Sequence, residues 1–179
     1  MQYTDVIHFW FTEIEMENWW QKNPGFDALI MQRFAAVHDE ASKGLLYKWR
    51  EAPEGALAEI IVLDQFSRNM HRDKPEAFAQ DPLALVLAQE AVRRGLDQLV
   101  PTRQRAFFYL PFEHSEAASM QEESLRLFSL LADSITLDFA KRHKVIIDRF
   151  GRFPHRNAIL GRKSTELEEK FLQEPGSSF

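Results

Sequence analysis

The chain contains no cysteine among its 179 residues. Disulfide bonds, thiolate nucleophiles and cysteine-ligated metals are therefore excluded, and the composition suits a reducing compartment. No apolar run is long enough to span a bilayer, because segment 7–11 is short and contains His8. The amino terminus has neither the basic region nor the cleavage site of a signal peptide. We therefore expect a cytoplasmic protein without a membrane partner.

Basic runs are also absent, and the formal net charge is −5. Because nucleic-acid binding depends on clustered lysine and arginine, we expect no nucleic-acid partner. The glycine patterns of nucleotide sites and the helical His-Glu-x-x-His and Glu-x-x-His patterns are missing. We therefore expect no cofactor.

What the chain does have is the material for a helical core. It is 45% apolar, with fifteen phenylalanines and four tryptophans, and no segment shows the period-two alternation of a strand. We expect an all-α fold, with residues 1–179 forming a single domain. Its seven or eight helices would stack in pairs, as in a bundle or a helical repeat array.

Several local signals predict where helices begin and end. Asp81 with the proline that follows predicts a helix start with Asp81 as the N-cap, and Gly95 predicts its end. Pro111 should kink or stop the next helix. A further helix should end at Gly151, and two capping boxes are predicted, at Ser119–Glu122 and Thr165–Glu168.

Residues 57–72 predict a central helix buried on every side, because their apolar residues point in nearly all directions. Its second half carries a polar stripe of Asp64, Ser67, Arg68, His71 and Arg72, with Asn69 beside the arginines. A buried charge must be paired or must line a cavity. Asp64 and Arg68, four residues apart, can pair with each other, and the arginines could equally bind a carboxylate or phosphate. Both interpretations stay open.

Two further clusters carry charge among apolar residues. Residues 113–116 place His114 and Glu116 just after Pro111, where the histidine could serve as a general base, a metal ligand or a capping residue. The last cluster lies in residues 148–162, most of which belong to a shaped loop, residues 151–163, that suits either an anion-binding lip or a salt-bridged connector. The candidate site residues of this cluster are Arg149, Arg152, His155, Arg156 and Asn157.

These stretches resemble a known family. Segments 63–69, 110–116, 150–157 and the terminal Glu-Pro-Gly-Ser-Ser-Phe are similar to the bacterial family called domain of unknown function 924. Ser67 and Glu113 depart from the family pattern, which often has proline and methionine there. The resemblance covers nearly the whole chain and implies a fold similar to tetratricopeptide repeats. It implies no activity.

Two functions remain as hypotheses. The first is a module that binds a small anionic molecule or a peptide in a basic, partly buried pocket, and it leaves an oligomer open. In a variant of it, Phe179 and its carboxylate occupy the groove of the same or a neighbouring chain. The second is an acid–base hydrolase, with or without a metal, using His114 or His155 with Asp64 or Glu116. Whether the protein is an enzyme stays open.

Overall fold

The structure, a computed structural model, describes residues 1–178, and a long central helix runs through its core. This helix begins at Pro53, where proline suits the first helical position, and ends at Met70. A π-helical turn, Val62–Phe66, joins its two α-helical parts. Every residue from Gly55 to Ser67 is buried. The predicted central helix is confirmed.

Residues 1–178 form eight helices when the central helix is counted once, and they contain no strand. Short 3₁₀ turns and a second π turn, Phe9–Glu13, connect or extend them. The all-α class is confirmed. In chain order the α-helical segments are α1 (Tyr3–His8), α2 (Pro24–Ser42), α3 (Pro53–Ile61), α4 (Ser67–Met70), α5 (Asp81–Arg93), α6 (Thr102–Glu113), α7 (Ala118–Ser129), α8 (Ser134–Phe150) and α9 (Glu166–Phe171).

Aromatic side chains fix the central helix against its neighbours. The ring centroid of Phe66 lies 4.7 Å from that of Phe34 on α2 and 5.5 Å from that of Trp10. Such tilted and edge-on pairs add to the gain from apolar burial. Helices α5 to α8 each pack against the next, an order that suits the expected helix pairs. Within residues 1–178, no helix combines the length and apolarity needed to cross a bilayer.

Two local predictions are wrong, and a third is wrong in part. Asp81 is the first helical residue and caps nothing, because its carboxylate is bound by arginines instead. Pro111 does not stop α6, which continues to Glu113, since one proline removes only one hydrogen bond of the helix, and a kink at Pro111 stays a prediction. The capping box at Ser119–Glu122 does not form, because α7 already begins at Ala118.

The other local predictions are confirmed. Thr165 and Glu168 form the capping box of α9. Gly95 and Gly151 follow α5 and α8 with φ of 72° and 69°, the left-handed conformation that glycine adopts without strain.

Candidate functional site

The centre of the site is a buried carboxylate on the π turn of the central helix. Asp64 is 1% exposed, and its Oδ1 lies 2.7 Å from His114 Nδ1 and 3.1 Å from Arg68 Nη1. Its Oδ2 accepts a hydrogen bond from Gln65 at 2.5 Å. Burial alone would raise the pKa of the Asp64 carboxyl, but the charge of Arg68 and the contact with His114 hold that pKa below its ordinary value. Asp64 is therefore ionised.

The structure of α6 places His114 against this carboxylate. The amide Nε2 of Gln121 on α7 donates to the carbonyls of Glu113 and Ser115, each at 2.7 Å, and fastens the end of α6. Burial and the nearby Arg68 charge lower the pKa of His114 below its ordinary value. The imidazole is therefore neutral at pH 7.

Asp81 joins two arginines across the site. Its carboxylate accepts both terminal nitrogens of Arg68, at 2.8 and 3.0 Å, and Nη1 of Arg156 at 3.3 Å. Sequence reasoning missed this role, because an aspartate before a proline is the usual signal of a helix start. One signal in the sequence does point to this role of Asp81. The candidate clusters contain more arginines than acids, so a carboxylate from elsewhere in the chain must pair with some of them.

Arg156 is buried between two aromatic rings. Its guanidinium carbon lies 4.6 Å from the ring centroids of both Phe78 and Phe153, and the residue is 7% exposed. Within residues 1–178 the only hydrogen bond of its guanidinium group is the one from Nη1 to Asp81, and the buried Nε has no partner. Burial, reinforced by the charge of Arg68, lowers the pKa of Arg156 to about 10, so it remains a cation at pH 7.

Glu116 holds the loop that carries Arg156. Its carboxylate accepts the backbone N–H of Phe153 at 2.7 Å and the two terminal nitrogens of Arg162 at 2.6 and 2.9 Å. Although burial opposes it, these contacts lower the pKa of Glu116 below its ordinary value. Asn157 supports the arrangement by accepting Arg162 Nε at 3.0 Å.

A cavity of about 370 Å³ opens between these groups. This volume lies in the range of small-molecule pockets. Its wall has five polar members and an apolar remainder. The polar members are Asp81, His114, Ser115, Glu116 and Arg156, and the apolar ones are Pro75, Phe78, Ala79, Pro82, Leu85, Pro111 and Leu160.

A second buried acid lies behind the cavity wall. Glu113 is 3% exposed, and its Oε1 lies 3.4 Å from Nδ1 of the buried His143 on α8. Burial, helped by the negative charge of Asp64, raises the pKa of Glu113 to about 8. Glu113 is therefore mostly protonated at pH 7, unlike Glu116 three residues later.

Comparison with known proteins places the chain in a family. Residues 6–176 match the family described as a bacterial protein of unknown function, DUF924. The chain belongs to this family. It is similar to a solved structure, the protein of unknown function ATU0120 from Agrobacterium tumefaciens, with 40% identity, a TM-score of 0.92 and 96% of each chain covered. No curated protein matches the chain.

The structure places the predicted site residues in three different settings. His114, Glu116 and Arg156 line the cavity, Asp64 contacts His114, and Arg68 contacts Asp64 and the lining residue Asp81. The family resemblance extends over all of these positions, since each lies within residues 6–176.

Asn69 and Arg72 lie elsewhere, although they share the central helix with Asp64. Asn69 Nδ2 donates to Asp27 Oδ1 at 2.8 Å, and Arg72 binds the same carboxylate through Nε and Nη2 at 2.6 and 2.8 Å. Their partner Asp27 belongs to α2. This cluster ties α2 to the end of the central helix and does not reach the cavity wall.

The candidate residues of segment 148–162 also lie in different settings. Arg152 binds Glu168 through Nε and Nη2 at 2.6 and 2.8 Å, and the exposed Arg149 lies over the rings of Phe150 and Phe171. His155 is half-buried against the ring of Phe153.

Two other predictions concern Phe179 and a metal ion. Phe179 lies outside the described residues. Within residues 1–178, no group of three or more histidine, aspartate or glutamate side chains is arranged to hold a metal ion.

Proposed function

We propose that the protein binds a small amphiphilic monoanion, with Arg156 as the residue that receives its charged group. The observation that carries the proposal is the state of Arg156. It is a buried cation in the wall of a cavity, and its Nε has no partner within residues 1–178. An unpaired buried donor is costly, so a ligand that supplies the missing acceptor gains the corresponding free energy.

The other arginines of the chain indicate which ligand group fits. In residues 1–178, five of them bind a carboxylate side-on, through Nε and Nη2 together. These pairs are Arg50–Glu59, Arg72–Asp27, Arg93–Glu90, Arg126–Glu123 and Arg152–Glu168. Arg156 uses only Nη1, so Nε and Nη2, the edge that these arginines fill with a carboxylate, have no acceptor within residues 1–178, and Nε itself is buried.

The charges around the cavity favour a monoanion over a dianion. Three carboxylates, those of Asp64, Asp81 and Glu116, balance the three guanidinium groups that contact them, and His114 is neutral. Binding therefore depends on the Nε and Nη2 donors of Arg156, which have no acceptor within residues 1–178, and not on an excess of positive charge. A second negative charge on the ligand would meet Asp81 and Glu116 without a further unpaired cation.

The apolar part of the wall indicates which chemical group the ligand should carry besides its charged group. Proline, leucine and phenylalanine side chains surround most of the cavity, among them Phe78, Leu85 and Leu160. Apolar surface placed against them leaves water, which is worth about 25 cal/mol per Å². An acid with an aryl or branched alkyl group could place its carboxylate at Arg156 and its apolar group against these side chains.

The hydrolase hypothesis stays a prediction, as do a cytoplasmic location, stacking of the tetratricopeptide type and an oligomer. Of the residues it named, Asp64 and His114 form a contact, whereas Glu116 is bound by Arg162. Ser115 Oγ accepts the backbone N–H of Ala117 at 3.2 Å. Within residues 1–178 His114 makes no hydrogen bond to the hydroxyl of Ser115, so the contacts of the pair include no serine nucleophile.

Calorimetric titration tests the proposal. Phenylacetate, benzoate, phenyl phosphate and inorganic phosphate are titrated into the wild-type protein and into Arg156→Gln. We expect saturable binding of the aryl carboxylates to the wild type and at least a tenfold weaker affinity in the variant, since a charge-assisted pair contributes about 1.5–3 kcal/mol.

Arg126→Gln is the matched control, because Arg126 is an exposed arginine with a carboxylate partner on α7. Its affinity for the same acids should equal that of the wild type. Absence of binding by every anion in the panel, or equal weakening in both variants, would contradict the proposal.

A further inference from the structure

His114 faces the cavity in a defined tautomer. Its Nδ1 lies 2.7 Å from Oδ1 of Asp64, an ionised carboxylate that can only accept hydrogen bonds. The proton of the neutral imidazole must therefore be on Nδ1. A carboxylate that binds one ring nitrogen fixes the other as an unprotonated acceptor, as in the outer shell of many metal and catalytic sites. Nε2 consequently carries a lone pair.

Nε2 is the acceptor that the cavity wall leaves unused. Within residues 1–178 no hydrogen bond reaches it, although His114 lines the cavity. The other acceptors of the wall are engaged. Asp81 accepts two arginines, Glu116 accepts Arg162 and a backbone N–H, and Ser115 Oγ accepts a backbone N–H.

The wall therefore offers two complementary groups. Arg156 can only donate hydrogen bonds, and neutral His114 can only accept one through Nε2. A ligand that satisfies both must carry an anion and, within the same small cavity, a hydrogen-bond donor.

From this arrangement we propose that the pocket selects small carboxylic acids that also carry a hydroxyl or amide N–H, and that this donor bonds to Nε2 of His114. The inference rests on the proposed function, since the carboxylate must first be held by Arg156. Hydroxy acids and N-acylated amino acids with an apolar side group belong to this class.

The selectivity has a physical cause. A bound acid without the donor would displace water from Nε2 and leave a buried acceptor unpaired, which costs more than the paired contact gains. Sites built to bond a ligand hydroxyl discriminate strongly against the analogue that lacks it. We expect a preference of about tenfold or more for the acid with the donor.

Two acids that differ by one hydroxyl provide the test. Phenylacetate and each enantiomer of mandelate are titrated into the wild-type protein by calorimetry at pH 7.5, where both acids are ionised. We expect one enantiomer of mandelate to bind with a Kd about tenfold lower than that of phenylacetate. This comparison needs no variant, so it does not depend on any substitution folding.

His114→Asn shows whether Nε2 is the cause. The Asn amide can still donate to Asp64 in place of Nδ1, but it removes the acceptor at Nε2, so the preference for mandelate should vanish. The matched control is His38→Asn, because His38 contacts Ser67 and lies outside the cavity wall. It should keep the wild-type preference. Melting curves of both variants verify that they are folded.

The outcomes separate the inference from the proposed function. Equal Kd values for phenylacetate and both enantiomers in the wild type would overturn the inference and leave the proposed function standing. A preference that persists in a folded His114→Asn protein would also overturn it. If neither acid binds, the inference falls, and the benzoate arm of the earlier panel decides whether the proposed function falls with it.

Discussion

Arg152 and Arg156 lie four residues apart in one loop, yet the structure puts them in opposite states. Arg152 binds Glu168 side-on through Nε and Nη2 and is closed to any ligand. Arg156 is buried between two rings and uses only Nη1. What separates a structural arginine from a candidate binding arginine is therefore the presence of a carboxylate at its side-on edge.

The same contrast appears along the central helix. Arg72 binds Asp27 side-on, away from the cavity. Arg68 instead contacts two carboxylates that also have other partners. Asp64 is bound by His114 as well, and Asp81 is bound by Arg156 as well. Shared carboxylates make a network in which removal of one group leaves several others uncompensated. The network should respond to substitution far more strongly than the closed pairs do.

The largest expected effect is that of Asp64→Ala. It leaves Arg68 and His114 facing a space without the carboxylate that both contact, so the free energy of unfolding should fall by about 3–5 kcal/mol. Urea denaturation followed by circular dichroism measures the change. A loss below about 1 kcal/mol would show that the network is not the centre of the site.

The second prediction concerns pH and Glu113. Its pKa is raised from about 4.5 to about 8, so the folded protein retains a proton that the unfolded chain has already released. This contribution to stability is full below pH 4.5 and is lost as pH rises toward 8. Between pH 7 and 8 Glu113 alone should therefore lower the free energy of unfolding by about 1 kcal/mol, against a smaller opposite change from the buried histidines whose pKa values are lowered.

Glu113→Gln should remove that decline, because the amide has no proton to release. Denaturant unfolding at pH 7 and 8 for both proteins measures the difference. Glu116→Gln is the comparison variant, since the pKa of Glu116 is lowered and does not titrate in this range. An equal slope between pH 7 and 8 in the wild type and in Glu113→Gln would contradict the assignment.

The third prediction concerns the cavity itself. A substitution that adds a bulky side chain should fill the cavity and leave the charged residues of its wall unchanged. Ala79 is exposed and lines the cavity, so the indole of Ala79→Trp should fill part of it. We expect at least tenfold weaker binding of aryl acids, with a change in stability of less than about 1 kcal/mol. Calorimetry and urea denaturation measure the two effects. Ala36→Trp, at an exposed position of α2, should leave the affinity unchanged, and unchanged affinity in Ala79→Trp would place the ligand elsewhere.

The smallest expected effect on affinity is that of Arg152→Gln. It removes the arginine partner of Glu168, whose carboxylate is 3% exposed but still accepts the backbone N–H of Thr165, so stability should fall by about 1–3 kcal/mol. Affinity for aryl acids should not change, because Arg152 does not line the cavity. A loss of affinity as large as that of Arg156→Gln would abolish the contrast between the two arginines.

Sequence periodicity predicts this fold well, because burial is a local property of a helix face. The central helix, the all-α class and the caps after α5 and α8 follow from residues that are close in the chain. The course of α6 past Pro111 is harder to predict, because contacts such as those of Gln121 with the carbonyls of Glu113 and Ser115 are not visible in a local pattern.

The candidate site is less predictable, because it depends on which charges meet. The contact between Asp64 and Arg68 follows from their spacing, but nothing local indicates that Asp81 joins Arg68 to Arg156 or that Glu168 closes Arg152. Sequence reasoning treats Arg152 and Arg156 alike. Only the packing of α5 and α9 around the loop distinguishes them.

The central claim is that the Nε edge of Arg156 receives the ligand, and an NMR titration tests it directly. The arginine Nε–H signals of the ¹⁵N-labelled protein are followed while phenylacetate is added, with Arg152→Lys and Arg156→Lys used to assign the two signals. The account predicts a saturable shift of the Arg156 signal and none of the Arg152 signal, whose Nε already donates to Glu168. A stationary Arg156 signal while the acid binds, or equal shifts of both, would contradict it.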